Sequence, residues 1–382
     1  MTDVPPEGWA AALAGLPAMG PARLRAVLGT WPPEEAWAQV AAGAACSRPA
    51  VALACRPDPA GVAALWQVGS RRVSVARVWE AHCHAGVRVL RPGTEGFPSV
   101  LEADPEPSAL LFARGDPATA AEGRRVAVVG TRRCTRYGRE VAYELGRDLA
   151  EAGVRVVSGL ALGIDGAAHQ GVLSAAGGAP PVAVVGSGLD VVYPRSHGSL
   201  WEEVATSGLL LSEAPLGARP EPWRFPVRNR LIAALAEVVV VVESAEKGGS
   251  RHTVDAAVAR DRLVMAVPGS VRSPGSAYPN ALLADGCHPV RDALDVLVAL
   301  GLSSAPRSEV DERPPPGPDE AVVLEALGWE PATFDDLCAR TGRSPGQVSV
   351  ALARLQGGGW VGERAGWWER VGGRRPGDDD GG

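Results

Sequence analysis

No run in this 382-residue sequence approaches the roughly 20 consecutive apolar residues that a membrane helix needs, so a helical span is not expected. The first residues, MTDVPPEGWAAALAGL, lack a basic start and take up charge and proline early, which argues against a signal peptide. A cysteine framework is also missing. Cys46, Cys55, Cys83, Cys134, Cys287 and Cys338 are scattered and form no C-x-x-C pair. That usage fits a reduced compartment, and the cytoplasm is the expected location. His82, Cys83 and His84 are adjacent, so their side chains point different ways, and no second ligand group accompanies them; no metal is expected. Aromatics are scarce at 5%, and isoleucine is nearly absent, a bias of coding and not of function. Net positive charge is lacking too. The balance of -6 argues against a uniformly basic coat, but it leaves room for a local basic cleft, because binding responds to the local field.

What is present is length enough for two or three domains and for a core that needs no staples. Residues 1–85 are Ala-rich and helical by pattern. Within them AALAGLPAMGPARLRAVLGTW reads as two helices around a Pro/Gly turn, the shape of a helix-hairpin-helix or SAM-like unit. The hairpin motif wants glycine on both sides of an apolar residue so that turn amides can meet a phosphate. Pro17, Ala18, Met19 and Gly20 supply only the second, which favours a structural role over DNA contact. From residue 86 the composition changes. Two short strand-like runs, Val87–Leu90 and Ala109–Ala113, read as an extension strapped onto the sheet that follows.

That sheet is the centre of the chain. VAVVGTRR, VRVVSGLALGIDGAAH and VAVVGSGLD are apolar runs that each end in a glycine-rich turn before a helical segment. The pattern predicts a parallel sheet with crossover helices, in an α/β, Rossmann-like fold. Val126–Val129, Val154–Val157, Val182–Val185, Leu209–Leu211, Val238–Ser244 and Leu263–Val267 are its expected strands. The sheet domain with its extension is assigned to 86–302, and a Pro-rich, semi-rigid linker to 303–318. Residues 319–372 read as three helices and a hairpin, a winged helix. Residues 373–382 are expected to be a disordered tail.

In such a sheet all strand ends face one rim, where ligands bind. Gly130, Thr131 and Arg132 follow the first strand, with Arg133 next. Glycine admits an anion to the backbone, a hydroxyl can donate, and arginine holds phosphate in a fork. Ser158 and Gly159 open the second turn, where Gly163 leads into a helix start with free amides. Gly186, Ser187 and Gly188 form the third. Three such turns on one rim point to a phosphate-bearing ligand. The dinucleotide fingerprint G-x-G-x-x-G fails at GTRRCTRYG, so no nicotinamide, flavin or other cofactor is expected. A second basic group lies in PEPWRFPVRNRLIAALAE. There Arg228, Asn229 and Arg230 can take phosphates and a base can stack on Phe225 or Trp223. Equally, Arg230 can pair with a buried acid and Phe225 can pack under the loop. Lys247 and Ser250 bracket a further turn on the same rim. Asp165 and His169, at i and i+4, share a helix face but have no nucleophile beside them in the sequence; a capped helix start is the simpler reading.

These stretches resemble the DNA-processing protein A family, DprA or Smf. The resemblance runs through FPSVL, LLFARGD, VAVVGTRR, SGLALGIDGAAH, GSGLDVVYPRSH, FPVRNRLIAAL, VVVVVESAEKGGS and MAVPGS in the family's order, over about residues 86–290. It implies a non-enzymatic protein, typically a homodimer, that binds single-stranded DNA and hands it to the RecA recombinase in natural transformation and recombination. It places Arg132 on a phosphate, Ser158 and Gly159 in the pocket, and Phe225, Arg228, Asn229 and Arg230 in the strand-binding loop. Lys247 and Ser250 would close the site. Val227 stands where the family often has a basic residue, Gly248 replaces a serine, and Asn280 is the surviving match after PGS. A nucleotide phosphoribohydrolase on a similar sheet is the enzymatic alternative, but its P-G-G-x-G-T-x-x-E run is missing. A duplex-binding winged helix is the third reading; its last helix, SPGQVSVALARLQ, offers only Arg354 as a cation.

Overall fold

The computed structural model describes residues 4–302 and 313–371. The chain divides into two compact units, Met1–Ser304 and Ala305–Gly382. The expectations for the tail at 373–382 and for most of the linker at 303–318 lie outside the described residues.

In the first unit the strands are β1 (Arg88–Leu90), β2 (Leu111–Gly115), β3 (Arg125–Val129), β4 (Arg155–Ser158), β5 (Val182–Val184), β6 (Leu209–Ser212), β7 (Val238–Val241), β8 (Leu263–Ala266) and β9 (His288–Pro289). They form one sheet in the order β1-β2-β6-β5-β4-β3-β7-β8-β9. From β6 to β9 every pair is parallel, whereas β2 lies antiparallel on β6 and β1 antiparallel on β2. The extension before the sheet is therefore its antiparallel edge. The last strand, only two residues long, carries no apolar run and was not foreseen.

Valine-rich strands bury both faces. Val238 and Val240 of β7 face a core with the helices Arg136–Glu151, Ile164–Ser174 and Ala293–Ala299; Val239 and Val241 face the helices Arg224–Leu235 and Ser250–Val258. Alternation on a strand sends neighbours to opposite sides, so a wholly apolar run needs a helical layer on each.

The helices between residues 6 and 84 do not stand apart from this sheet. Leu13, Leu16, Val27 and Trp66 share one core with Phe112, Trp201 and Leu210. The boundary at 85/86 separates compositions, not compact bodies. The hairpin joins the helices Pro6–Ala14 and Pro21–Leu28. Ala18 sits in it at φ 58°, the left-handed conformation that glycine normally supplies. The turn thus keeps the hairpin path although the first glycine is missing. His82 is buried and stacked on Phe112, with ring centroids 5.3 Å apart, while Cys83 and His84 are exposed.

The second unit is a winged helix. Its helices are Pro318–Leu327, Phe334–Thr341 and Pro345–Gly357, and its sheet joins β10 (Ala332–Thr333), β11 (Val361–Arg364) and β12 (Trp367–Arg370) in the order β10-β12-β11. Thr333 caps the second helix in a reciprocal box with Asp336, and Gly342 ends that helix at φ 64°.

Candidate nucleic-acid interface

The sheet order places the site. From β3 the chain steps outward through β4, β5 and β6, then returns to the other side of β3 for β7 and β8. Loops leaving β3 and β7 diverge at this reversal and open a crevice beyond the strand ends. It encloses about 420 Å³ between Gly130–Arg133, Ala161, Asp165, Phe225–Asn229 and Gly248–Thr253. A recess of about 30 Å³ adjoins it between Gly159, Gly186, Ser187, Tyr193, Phe225 and Arg228.

The lip of the crevice is cationic and aromatic. Arg132 is exposed, and its guanidinium lies 4.8 Å from the centre of the Phe225 ring. Tyr193 backs the same ring at 5.5 Å, tilted by 40°. Asn229 is half-buried beside them, its amide 3.4 Å from the Gly249 carbonyl. Lys247 is exposed on the turn whose residues Gly248–Ser250 form the far wall.

The floor is a different environment. Asp165 is buried, and the main-chain N–H groups of Ala161, Gly130 and Gly159 face its carboxyl. Those amides come from two of the three glycine turns. The sequence reading offers them to a phosphate; in the structure the side chain of Asp165 stands in front of them. Arg228, also buried, lies beside Asp165 and donates through Nη1 to the Val184 carbonyl at 2.6 Å. Burial pushes the Asp165 carboxyl up, against the pull of Arg228 and the three N–H donors, and lowers Arg228 to about 10. Gly159 lies where a Cβ would fall on both charged groups, so this turn needs glycine for space. Gly163, at φ 81°, packs its backbone on Thr131 and Arg132 and locks the first two turns together. His169 is fully buried beneath them, and burial holds its ring down at about 3.

Several sequence-assigned contacts turn away from the crevice. The Ser158 hydroxyl donates to the Val128 carbonyl, that of Ser187 to the Val191 carbonyl, and that of Ser250 to Ser244 Oγ. Each hydroxyl is spent on loop shape. The Thr131 hydroxyl accepts from Arg133 N–H at 3.2 Å. Arg230 is the clearest departure. It is buried and bonded to Glu213 at 2.5 Å, with a second bond to the Glu106 carbonyl. It does not line the rim crevice. Of the two open readings, the pairing with a buried acid is the one the structure has.

Two side chains that shape the candidate site escaped the sequence reading. Tyr193 stands in the quoted GSGLDVVYPRSH run, where an aromatic so soon after a rim turn was the available signal. Glu243, at the end of β7, is buried and accepts both Thr135 N–H at 2.8 Å and Thr135 Oγ1 at 2.6 Å, while its carbonyl receives Thr131 N–H. It ties the β3 and β7 loops across the reversal. An acid closing an otherwise apolar strand was its only mark.

Residues 88–301 match the model for DNA recombination-mediator protein A, and residues 306–366 that of the DprA winged helix domain. The DNA processing protein DprA of Bacillus subtilis is 37% identical over 224 residues, covering 59% of this chain and 75% of the relative. The structure of DNA processing protein A from Streptococcus pneumoniae aligns with a TM-score of 0.62 at 27% identity, over 78% of this chain and 98% of that one. The same protein from Helicobacter pylori, solved to explain its single-stranded DNA binding mode, aligns with a TM-score of 0.51 at 27% identity, over 56% and 95%. From the first strand of the sheet to the helix that follows the last, the match is unbroken, and the chain belongs to the DNA recombination-mediator protein A family.

Proposed function

We propose that the rim crevice binds single-stranded DNA, and that the chain, as a homodimer, passes the bound strand to a RecA recombinase. The observation that carries this reading is the exposed Arg132 guanidinium stacked at 4.8 Å on Phe225 at the mouth of the crevice. A guanidinium beside an open ring suits a phosphate next to a base, whatever the base. Asn229 and Lys247 supply further donors along the same lip. On this reading the protein acts by holding the strand along the lip of the crevice. The RecA and homodimer parts rest on the family resemblance.

The test is equilibrium binding of oligothymidine at several salt concentrations. Arg132→Ala should weaken binding about 10-fold and lower the slope of log affinity against log salt by about 1, since one phosphate contact is gone. The same variant should lose any stimulation of RecA assembly on the oligonucleotide. Unchanged affinity and slope would refute the assigned site.

A further inference from the structure

A second depression leads away from the crevice toward the helical hairpin. The recess at Gly186 and Arg228 continues into a shallow trough between Trp223, Arg224 and Val227. The trough opens in turn into a groove of about 830 Å³ whose other wall is the hairpin, Ala14–Arg25. Pro21, Trp223, Arg224 and Val227 line both, so the surface is continuous.

We propose that a DNA strand leaving the rim crevice runs along this groove and is held by Trp223, Arg224 and the hairpin arginines. The proposal rests on the reading of the crevice as a single-strand site and extends it to a second contact surface. Trp223 is 46% exposed, and the Arg224 guanidinium lies 4.5 Å from the centre of its ring. The pair repeats the arrangement of Phe225 and Arg132 one step farther along the chain's surface. Charge favours a polyanion. Arg23, Arg25, Arg224 and Arg230 line the groove against Glu106 and Glu221, with Glu213 beneath Arg230. Both lining glutamates are engaged: Glu221 with Arg224 and the Trp223 ring nitrogen, Glu106 with Arg230. Arg23 and Arg25 donate to the carbonyls of Ala18, Ala54 and Pro107, which are neutral, although Arg25 also shares the field of Glu213 with Arg230. A duplex is the poorer fit, because stacking on an exposed ring requires an unpaired base.

Oligothymidines of about 6 and about 20 nucleotides separate the two surfaces, since the short one fills the crevice alone. Binding of each to the full chain is measured for the native protein, for Trp223→Ala with Arg224→Ala, and for Arg132→Ala. The double variant should lose about 10-fold in affinity for the long strand, by one stack and one phosphate contact, and so erase most of the long strand's advantage over the short. Arg132→Ala should weaken both lengths. Hydrogen exchange should show amides of 16–25 protected by the long strand and not by the short. A double variant that keeps the full advantage of length, or a long strand that leaves 16–25 unprotected, overturns the groove while the crevice stands. Loss of affinity for both lengths to the same degree in the double variant also overturns it, because the effect then belongs to the crevice. If Arg132→Ala changes neither length, the crevice reading itself has failed.

Discussion

Floor and lip of the crevice are built from neighbouring residues and do opposite work. On the floor, Asp165 and Arg228 are buried close enough to act on each other's charge, and the nearby serine hydroxyls are bonded inward. On the lip, Arg132, Asn229 and Lys247 are open or half-open, and the Arg132–Phe225 stack faces solvent. A charge sealed among internal partners sets architecture, whereas an exposed one remains free to meet a ligand. Proximity to a pocket therefore does not make a residue a ligand contact.

Three substitutions sharpen or break that division. The largest effect is expected from Arg228→Ala, which strands the buried Asp165 without its guanidinium. Urea unfolding should show a loss of about 3–5 kcal/mol. A variant of native stability that has merely lost DNA affinity would move Arg228 from the floor to the lip. Phe225→Ala should do the reverse, weakening oligothymidine binding by about 1–3 kcal/mol while its unfolding midpoint stays near that of the native chain. The smallest effect concerns His169. Burial holds its native pKa near 3, below the ordinary 6.5, so the ring stays neutral in the fold while the unfolded chain takes up a proton. Stability contributed by the neutral ring is complete above pH 6.5 and declines as pH falls toward 3, by up to about 1.4 kcal/mol per pH unit. His169→Gln should flatten the decline measured between pH 7 and 5. Equal slopes in both proteins would show that the floor is not sealed at this ring. His82, also lowered by burial, should leave a residual slope in the variant.

Much of the scaffold was legible because it follows from local rules. Apolar runs with glycine turns gave the parallel strands to within a residue or two, apart from β7, which stops three residues short of the expected Ser244. The winged-helix hairpin acquired a third short strand, β10, which two residues cannot announce. The site was legible at its lip, where an arginine after a glycine turn and an aromatic before Arg228 carry their own signal. The floor was not. Asp165 faces N–H groups of Gly130 and Gly159, residues on separate turns, and that convergence appears only when the two loops meet. The error at Arg230 had a local warning. Residues two apart on a helix do not share a face, so Arg228 and Arg230 could not both point into one crevice. Arg230 instead meets Glu213, a residue from the loop after β6.

Free nucleotides crowd every cell, and folds of this type commonly seize them by wrapping a polyphosphate in main-chain nitrogens. Here the side chain of Asp165 faces the main-chain N–H groups of the cradle. A polymer, by contrast, can gather many weak grips along an outer edge and win by their number. A strand held along the lip, as proposed, has no need of that cradle.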